Sequence, residues 1–438
     1  MSEMKKDKQL FTVGRIFFLL IVIPLSLMAL LIANGIFKFS NAVKERTVIV
    51  LDQKSQEDIK VRAINVAEEI VDFLRDRQKD VMIATILPAS ESAYKEFVNN
   101  NRKPLWVKQD GKIVRLSEPL YVEMALINKK GDEVIKISTG EAVPRSKLQN
   151  VSNPINTLFK TEDYFAKAKK LNQDEVYVSH VTGWYVNRDD FAKGKRFRGI
   201  VRFAAPMFDK EGFSGIITLA LDSRHLTRFT DNIIPTQPDY VLKAEADSGN
   251  YAYMVDNRGF VIAHPNDYHI EGLDSNGNPV PPLTAATSEL MSKKGEEVLD
   301  FNLLGFMDPI LPKISKDAES GNAGTKTYTF GARTQFVAYA PIQFYSADYP
   351  KPGGFGWVGM NVDISKFSEH AALAAKKIQN EAKSWITTII VIMIVAAILL
   401  FFILALLARG ITRSIEEEIP EESPDATRFY DDEDEDDK

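Results

Sequence analysis

Two long apolar runs, one near each end, limit what this chain can fold into. Residues 16–37 and residues 385–408 contain no charged side chain. At about 1.5 Å of rise per helical residue, runs of this length cross a hydrocarbon core of about 30 Å. A buried helix of a soluble protein rarely stays free of charge for so many residues. We therefore predict two transmembrane helices, the first of which contains Pro24, a residue that membrane helices tolerate.

The first run has a second interpretation, a cleaved signal peptide. It is longer than the apolar stretch of about 7–15 residues that signal peptides carry, and no small-x-small cleavage site follows it. Basic residues precede the first run and follow the second: Lys5, Lys6, Lys8, Arg15, Arg409 and Arg413. Because cytoplasmic flanks carry such an excess, both ends are predicted to be cytoplasmic and residues 38–384 to lie outside. The chain has no cysteine, so this exported part folds without disulfides, as in a bacterial surface or periplasmic domain.

The segment after the first run has the periodicity of a long helix. Apolar residues recur at spacings of four and three residues, which places them on one helical face: Ile59, Ala63, Val66, Ile70 and Phe73. We predict a stalk helix over residues 38–86. Its apolar face packs either on the exported domain or on a second copy of the chain, and the sequence leaves both open.

The rest of the exported part alternates strand-like segments with turns, in two similar series. Strand candidates of the first series are 120–128, 134–138, 175–186, 197–208 and 213–222, with a helical stretch near residues 164–166. Those of the second are 250–256, 260–265, 324–331, 334–344 and 356–363, with a short helix near residues 290–291. Residues 302–325 carry scattered glycine, proline and charge, and we interpret them as a looped insertion outside the core.

Several segments in this order resemble the double Cache family, the extracytoplasmic sensor domains of bacterial chemoreceptors and sensor kinases. They are DYFAKA (163–168), RGIVRFAAPMFDKEGFSGIITLALD (198–222), DNRGFVIAHP (256–265), and VAYAPIQF with GWVGMNVD. The resemblance covers residues 38–384. It implies an α+β fold in which two PAS-like modules with antiparallel sheets are strung on a long N-terminal helix, between two transmembrane helices.

The predicted organisation follows from the runs and the resemblance together. It consists of a cytoplasmic N-terminus 1–15, a transmembrane helix 16–37, the stalk helix 38–86, a membrane-distal module 87–235, a membrane-proximal module 236–363, an exit helix 364–384, a second transmembrane helix 385–408 and an acidic cytoplasmic tail 409–438.

The resemblance also implies a small-molecule site in the distal module, between the sheet and the helix and loop before its third strand. Aromatic and polar side chains concentrate in the same part of the sequence, as pockets require. Our candidate ligand-binding residues are Tyr164, Tyr177, His180, Trp184, Tyr185, Arg202 and Thr218. Each aromatic residue has an alternative reading as sheet core, because aromatics are common in strands. Arg198 shares a face with Arg202 by period-two spacing, but a solvated hairpin edge explains Arg198 equally.

One departure from the family bears on the ligand. Amino-acid-binding members hold the ligand ammonium with an aspartate on the last strand of the distal module, and the matching position here is Ala220. The Arg-x-Trp-Tyr cluster of those members does not follow Tyr164 either. A buried ammonium without a carboxylate loses its charge partner. We therefore expect an organic anion or a neutral solute rather than an amino acid.

Metal, catalytic and nucleic-acid functions are disfavoured. Asp274, Asn276 and Asn278 begin like a calcium loop, but the twelfth position is Ala285, so we predict a turn. His264, Asp267 and His269 lack the spacing of a metal motif. No nucleophile elbow, phosphate loop or HExxH motif occurs, so we expect neither an enzyme nor a bound cofactor. Location and charge exclude nucleic acid as a partner.

The C-terminal segment 415–438 has 13 acidic residues against Arg428 and Lys438. Such composition predicts a solvated cytoplasmic tail, or a docking tail for a basic partner. Arg409–Ile415 resembles the start of a HAMP linker, and no kinase, cyclase or methyl-accepting helix follows. We expect a multi-pass, homodimeric inner-membrane sensor that passes a ligand signal to a partner protein. The alternatives are a truncated chemoreceptor or sensor kinase, and a non-signalling solute-binding surface protein.

Overall fold

The structure, a computed structural model, describes residues 2–109, 112–237, 241, 243–330 and 333–417. Its internal contacts divide the chain into two units, Leu51–Glu369 and the pair Met1–Val50 with His370–Lys438. The predicted acidic tail beyond Glu417 lies outside the described residues.

Helix α1 spans Ser2–Ile86 and contains the predicted stalk. The predicted apolar face is buried: Ile59, Ala63, Val66, Ile70 and Phe73 all belong to the main hydrophobic core. Of the two readings of this stripe, packing on the chain's own domain is therefore confirmed. Phe73 shows the contact directly, since its ring meets that of Phe229 at 5.4 Å between centroids.

After the stalk come two elements that the sequence analysis did not identify. Helix α2 (Glu91–Asn100) begins at Ser90, whose Oγ accepts a hydrogen bond from the Ala93 amide at 3.3 Å, and it buries Tyr94 and Val98. Strands β1 (Arg102–Gln109) and β2 (Lys112–Pro119) then form an antiparallel hairpin.

Seven of the described strands form the first sheet. In chain order these are β3 (Tyr121–Asn128), β4 (Glu133–Ser138), β5 (Glu141–Ala142), β6 (Tyr177–Val178), β7 (Thr182–Gly183), β8 (Gly199–Asp209) and β9 (Gly212–Asp222). The strand order is β5-β4-β3-β9-β8-β6, with β7 also paired to β8. Helix α3 (Tyr164–Ala168) packs on β8, and helix α4 (Arg188–Ala192) lies in the connection between β7 and β8. The paired strands run antiparallel, as predicted.

The second sheet has five strands in the order β11-β10-β14-β13-β12. Helix α5 (Arg224–Asp231) leads to it from the first sheet and packs against β10. The strands are β10 (Asn250–Asp256), β11 (Val261–Ala263), β12 (Gly324–Phe330), β13 (Arg333–Ile342) and β14 (Gly356–Asp363), with helices α6 (Ser288–Lys294) and α7 (Leu311–Glu319) between β11 and β12. The fold is thus α+β, with two antiparallel sheets in series after a long helix.

Two sequence interpretations of this region were wrong. The predicted long strand at 175–186 is reduced to the two-residue strands β6 and β7, which both pair with β8. The predicted looped insertion at 302–325 contains helix α7, which buries Leu311, Ile314 and Ala318. Their spacings of three and four residues form a helical stripe, so the segment belongs to the core.

The last helix, α8, spans Ile364–Glu417. Within α1 and α8, the segments Leu19–Val43 and Leu373–Leu407 are long and apolar enough to cross a membrane. Only 6% and 0% of their most apolar stretches are buried, whereas a core helix of a soluble protein would be mostly covered. The predicted apolar runs lie in these two helices.

Candidate functional site

The predicted ligand face of the first sheet has a defined register. Arg202 on β8 lies opposite Ala220 on β9, and Ala220 lies opposite Glu123 on β3. Thr218 falls in the next row of the same face, because side chains alternate with period two. The middle of this face is lined by small side chains, and Tyr164 of α3 lies over Arg202, with the guanidinium 4.4 Å from the ring centroid.

The protein itself satisfies the Arg202 side chain, which is fully buried. Its Nε and Nη2 donate to the two oxygens of Glu162, at 2.6 and 3.2 Å, and its Nη1 donates to Glu123 at 2.7 Å. Lys136 adds a second cation, with its Nζ 2.9 Å from Glu123. The guanidinium therefore has two carboxylate partners of its own, in the place where we predicted a ligand anion.

Electrostatics stabilise this ion cluster. Burial alone would raise the pKa of Glu123, but Arg202 and Lys136 outweigh it, so that the pKa lies below its ordinary value. Burial also raises the pKa of Tyr164, which keeps the phenol neutral. Glu123, Glu162, Arg202 and Lys136 thus form a network of ion pairs, which we call the ion cluster. Lys136 extends it to the buried Glu133, at 2.7 Å.

The other predicted site residues separate into two groups. Tyr177 lies on the same face as Arg202, and its hydroxyl donates to Asp163 at 3.3 Å. Thr218 is completely buried, and its Oγ1 has no hydrogen-bond partner among the described residues. The structure therefore brings Tyr164, Tyr177, Arg202 and Thr218 together on one face.

His180, Trp184 and Tyr185 lie instead at the junction with the second sheet. The Tyr185 hydroxyl donates to the Tyr268 carbonyl at 2.9 Å and accepts from the Glu297 amide at 2.8 Å. His180 contacts Asn257 through Nε2 at 3.0 Å, and burial lowers its pKa. Trp184 is partly exposed and pairs with Leu273 through the backbone.

A cavity of about 460 Å³ lies in the second sheet module. Its volume is in the range of small-molecule sites. Strands β10, β12 and β13 form its floor, and Leu304, Met307 and Leu311 form one wall. The segment that we interpreted as a looped insertion therefore completes the cavity.

Aromatic rings line much of this cavity. Tyr253 stacks on Phe301 with 5.4 Å between centroids and 16° between planes, and the edge of Trp357 supports both rings. The position of Tyr253 depends on Gly359 of the neighbouring strand, because a Cβ there would overlap the phenol ring. The ring thus lies flat across β14.

The polar groups of the cavity are only partly satisfied within the protein. Tyr328 donates to Asn361 Oδ1 at 2.9 Å, and Asn361 Nδ2 donates to Gln335 at 2.9 Å. The Tyr253 hydroxyl lies beside Tyr328 but is buried without a hydrogen-bond partner of normal geometry among the described residues. Buried hydroxyls normally find a partner, and among the described residues of the lining this hydroxyl is the one buried polar side-chain atom without one.

Two histidines of the cavity have defined hydrogen bonds at Nδ1. His264 Nδ1 accepts from the Asn266 amide at 2.9 Å, with the Asn266 carbonyl farther away at 3.3 Å. His269 Nδ1 donates to the Glu297 carbonyl at 3.0 Å. We infer that His264 carries its proton on Nε2 and that His269 presents a bare Nε2. Burial lowers the pKa of His264 well below its usual range and that of His269 to about 3, so both rings are neutral.

The acidic and basic side chains of the cavity lining are the buried Glu297 and two exposed groups of opposite sign, Asp247 and Arg333. Glu297 is buried and forms an ion pair with Arg188. Arg333 is exposed and donates to the Asp247 carbonyl at 2.6 Å. The buried wall of the cavity is therefore neutral apart from a compensated ion pair, in contrast to the ion cluster of the first sheet.

The motif HPNDYH (264–269) contributes four residues to the lining of the cavity: His264, Asn266, Tyr268 and His269. Asp267 accepts from the Phe197 amide at 2.6 Å and from Lys243 at 3.1 Å. Within the described residues, no group of three His, Cys, Asp or Glu side chains is placed to hold a metal ion. Asp274 Oδ1 accepts from the amides of Asn276 and Asn278, which is the predicted turn.

This cavity was not identified from the sequence. Its residues come from five separate segments, which no local pattern connects. The alternating Tyr251 and Tyr253 on β10 were the available signal, since period-two spacing puts both rings on one face.

Comparisons with known proteins reveal similarity to solved sensor domains. The chain matches no protein-family model and no curated protein. It is similar in structure to the extracellular domain of a protein described as a histidine kinase (15% identity, 75% of this chain and 96% of that chain, TM-score 0.44). Others are the ligand-binding domain of the amino acid chemoreceptor PctC of Pseudomonas aeruginosa with GABA (12%, 71% and 99%, TM-score 0.38) and the sensory domain of the Campylobacter jejuni chemoreceptor Tlp3 (11%, 75% and 100%, TM-score 0.39).

Proposed function

We propose that this chain is a membrane-anchored sensor whose extracytoplasmic domain binds a small molecule in the cavity of the second sheet. The cavity carries this proposal: about 460 Å³ of space is bounded by aromatic rings and by His264 and His269, whose ring hydrogen bonds among the described residues are all made by Nδ1. Such a combination is typical of ligand sites. The order of two antiparallel sheets after a long helix supports a double Cache domain.

The membrane part of the proposal rests on the apolar helices. Two segments, Leu19–Val43 and Leu373–Leu407, have the length and composition of membrane spans. The basic residues at both cytoplasmic flanks favour an external location for the sheet domain. We place the protein in a bacterial inner membrane, as a homodimer that works through a cytoplasmic partner.

A series of packing contacts within the sheet domain connects the cavity with the stalk helix. Tyr251 and Tyr253 of β10 line the cavity, and β10 packs against helix α5. Phe229 of α5 meets Phe73 of α1 edge to face. Ligand binding shifts this packing only if the ligand has different affinities for two arrangements of it.

A thermal-shift screen of the full chain in lipid nanodiscs tests the proposal, using neutral solutes, organic anions, amines and amino acids. Met307→Trp fills the mouth of the cavity, and Met207→Trp is the matched control on the first sheet. We expect a compound that raises the unfolding temperature of wild type and of Met207→Trp, but not of Met307→Trp. A screen without any stabilising compound would overturn the proposal.

The face of the first sheet that sequence analysis favours is a distinct outcome of the same screen. A compound whose effect survives Met307→Trp and is lost in Thr218→Val would place the site beside Arg202. Thr218→Val keeps the shape of the side chain and removes only the buried hydroxyl.

The signalling step has its own test. The chain has no cysteine, so any disulfide cross-link must come from single cysteines introduced into the two apolar segments. We expect ligand to change the cross-linking rate between subunits. Binding without such a change would favour the alternative, a solute-binding surface protein that does not signal.

A further inference from the structure

We propose, building on the function above, that the cavity of the second sheet selects an uncharged, flat molecule with a hydrogen-bond acceptor and a donor side by side. An aromatic carboxamide is the simplest example. Three independent features of the cavity lead to this ligand class: the shape of its walls, the tautomers of its histidines and the absence of a counter-charge.

The shape of the walls favours a flat ligand. Tyr253 and Phe301 form a stacked pair, and the ring of Tyr251 contacts His264 edge to face, with 4.9 Å between centroids. Aromatic faces and edges attract other rings by offset stacking and T-shaped contacts. Apolar side chains, among them Val261 and Leu299, fill the remaining wall, where a ring can be buried without losing a hydrogen bond.

The histidines supply complementary hydrogen bonds. His264 presents a protonated Nε2 and His269 a bare Nε2, because their Nδ1 atoms are committed to Asn266 and to Glu297. The two rings lie 4.8 Å apart between centroids. A carboxamide matches this pair: its carbonyl oxygen accepts from His264, and its NH2 group donates to His269.

The charges around the cavity disfavour an ion. Glu297 is compensated by Arg188, and the two exposed charges of the lining, Arg333 and Asp247, have opposite signs. A carboxylate or ammonium would therefore lose its hydration without gaining a free buried counter-charge. Protonation of a histidine to accept an anion is also costly, since burial holds both pKa values low.

Three probes with the same ring test the proposal on the full chain in nanodiscs. Benzamide is neutral with a donor and an acceptor, benzoate is an anion, and benzyltrimethylammonium is a cation. We expect benzamide to bind at least about tenfold more tightly than either ion by calorimetry, with empty nanodiscs as the blank. Benzamide binding should be lost in Met307→Trp and retained in Met207→Trp.

The outcomes separate this proposal from the proposed function. Tighter binding of benzoate or of the ammonium probe, blocked by Met307→Trp, would overturn the ligand class and leave the cavity as the site. Failure of benzamide to bind would also overturn the class, while a cavity-dependent compound from the wider screen would still support a sensor. If no compound binds, both proposals fail.

Substitutions of single histidines provide the second measurement. His264→Phe and His269→Phe keep an aromatic ring and remove both ring nitrogens, so the Nδ1 bond to Asn266 or Glu297 is lost together with Nε2. His180→Phe is the control outside the cavity. We expect benzamide affinity to fall about tenfold or more in the first two and to stay unchanged in the control.

If those variants do not fold, the imidazole ¹⁵N resonances of wild type give the same information, because the chain has only five histidines. Benzamide should shift the signals of His264 and His269 and leave that of His180 in place. Unchanged signals for the first two residues would overturn the assignment.

Discussion

Arg202 on the first sheet and His269 on the second are both buried polar side chains, but only in Arg202 does every side-chain nitrogen have a hydrogen-bond partner among the described residues. Arg202 has carboxylates on both sides, whereas His269 uses Nδ1 alone and leaves Nε2 toward the cavity. Two sheets of similar topology thus use the same kind of face in different ways. One face is occupied by the ion cluster, although the Thr218 hydroxyl on it has no partner among the described residues, and the other is the face that we propose to bind a ligand.

The largest effect on stability should come from disrupting the ion cluster of the first sheet. Arg202→Met leaves Glu162 buried without its cation and Glu123 with Lys136 alone, and removal of one partner of a buried pair costs about 3–5 kcal/mol. Denaturant titration of the purified chain measures this as a lower free energy of unfolding. Arg198→Met, at an exposed position four residues earlier, should change stability by less than about 0.5 kcal/mol. Equal stability of the two variants would show that the ion cluster does not hold the first sheet together.

The next largest effect on stability should come from Tyr185, which hydrogen-bonds to residues of the second sheet module. Tyr185→Phe removes the hydroxyl that accepts from the Glu297 amide and donates to the Tyr268 carbonyl. An amide left without an acceptor costs about 1–3 kcal/mol. Tyr345→Phe is the control, because its only hydrogen bond within the described residues is exposed and long, at 3.3 Å. If both variants unfold at the same denaturant concentration, the two sheets are not coupled through Tyr185.

A third comparison contrasts two buried acids. Burial raises the pKa of Asp231 to about 7, although Lys243 opposes the shift, and its Oδ1 has no hydrogen-bond partner among the described residues. The folded protein therefore holds a proton that the unfolded chain releases above its pKa of 3.8. The stability from this group is present below that pH and is lost as the pH rises toward 7. For Glu123 the sign is opposite: its lowered pKa stabilises the fold at neutral pH, and this is lost as the pH falls below about 4.5.

Asp231→Asn should accordingly raise the free energy of unfolding by about 1–2 kcal/mol at pH 8 and change it little at pH 4. Unfolding titrations at the two pH values measure the difference. Asp189→Asn, on the exposed side of α4, should change stability equally little at both. A gain of stability at pH 4 that disappears at pH 8 would reverse the inferred shift.

Features that depend on local patterns could be predicted from the sequence, whereas contacts between distant segments could not. Strands such as 213–222 were recognisable because alternation and turn residues are local signals. Period-two spacing also placed Thr218 and Ala220 on one face, as the register has them. The partners of Arg202 were not visible, since Glu162 and Glu123 precede it by 40 and 79 residues. Helix α7 was missed because scattered glycine and proline hid a short apolar stripe, and with it the wall of the cavity.

The smallest effect on stability is expected in the cavity of the second sheet. It tests most directly whether the polar groups there are satisfied within the protein. Tyr328→Phe removes the donor to Asn361 and should cost about 0.5–1.5 kcal/mol in the empty protein. Tyr253→Phe should cost close to nothing, because its hydroxyl has no well-formed hydrogen bond to lose. With a bound ligand the order should reverse, and Tyr253→Phe should reduce the ligand-induced rise in unfolding temperature more than Tyr328→Phe does. If Tyr253→Phe instead destabilises the empty protein as much as Tyr328→Phe, its hydroxyl is already satisfied internally.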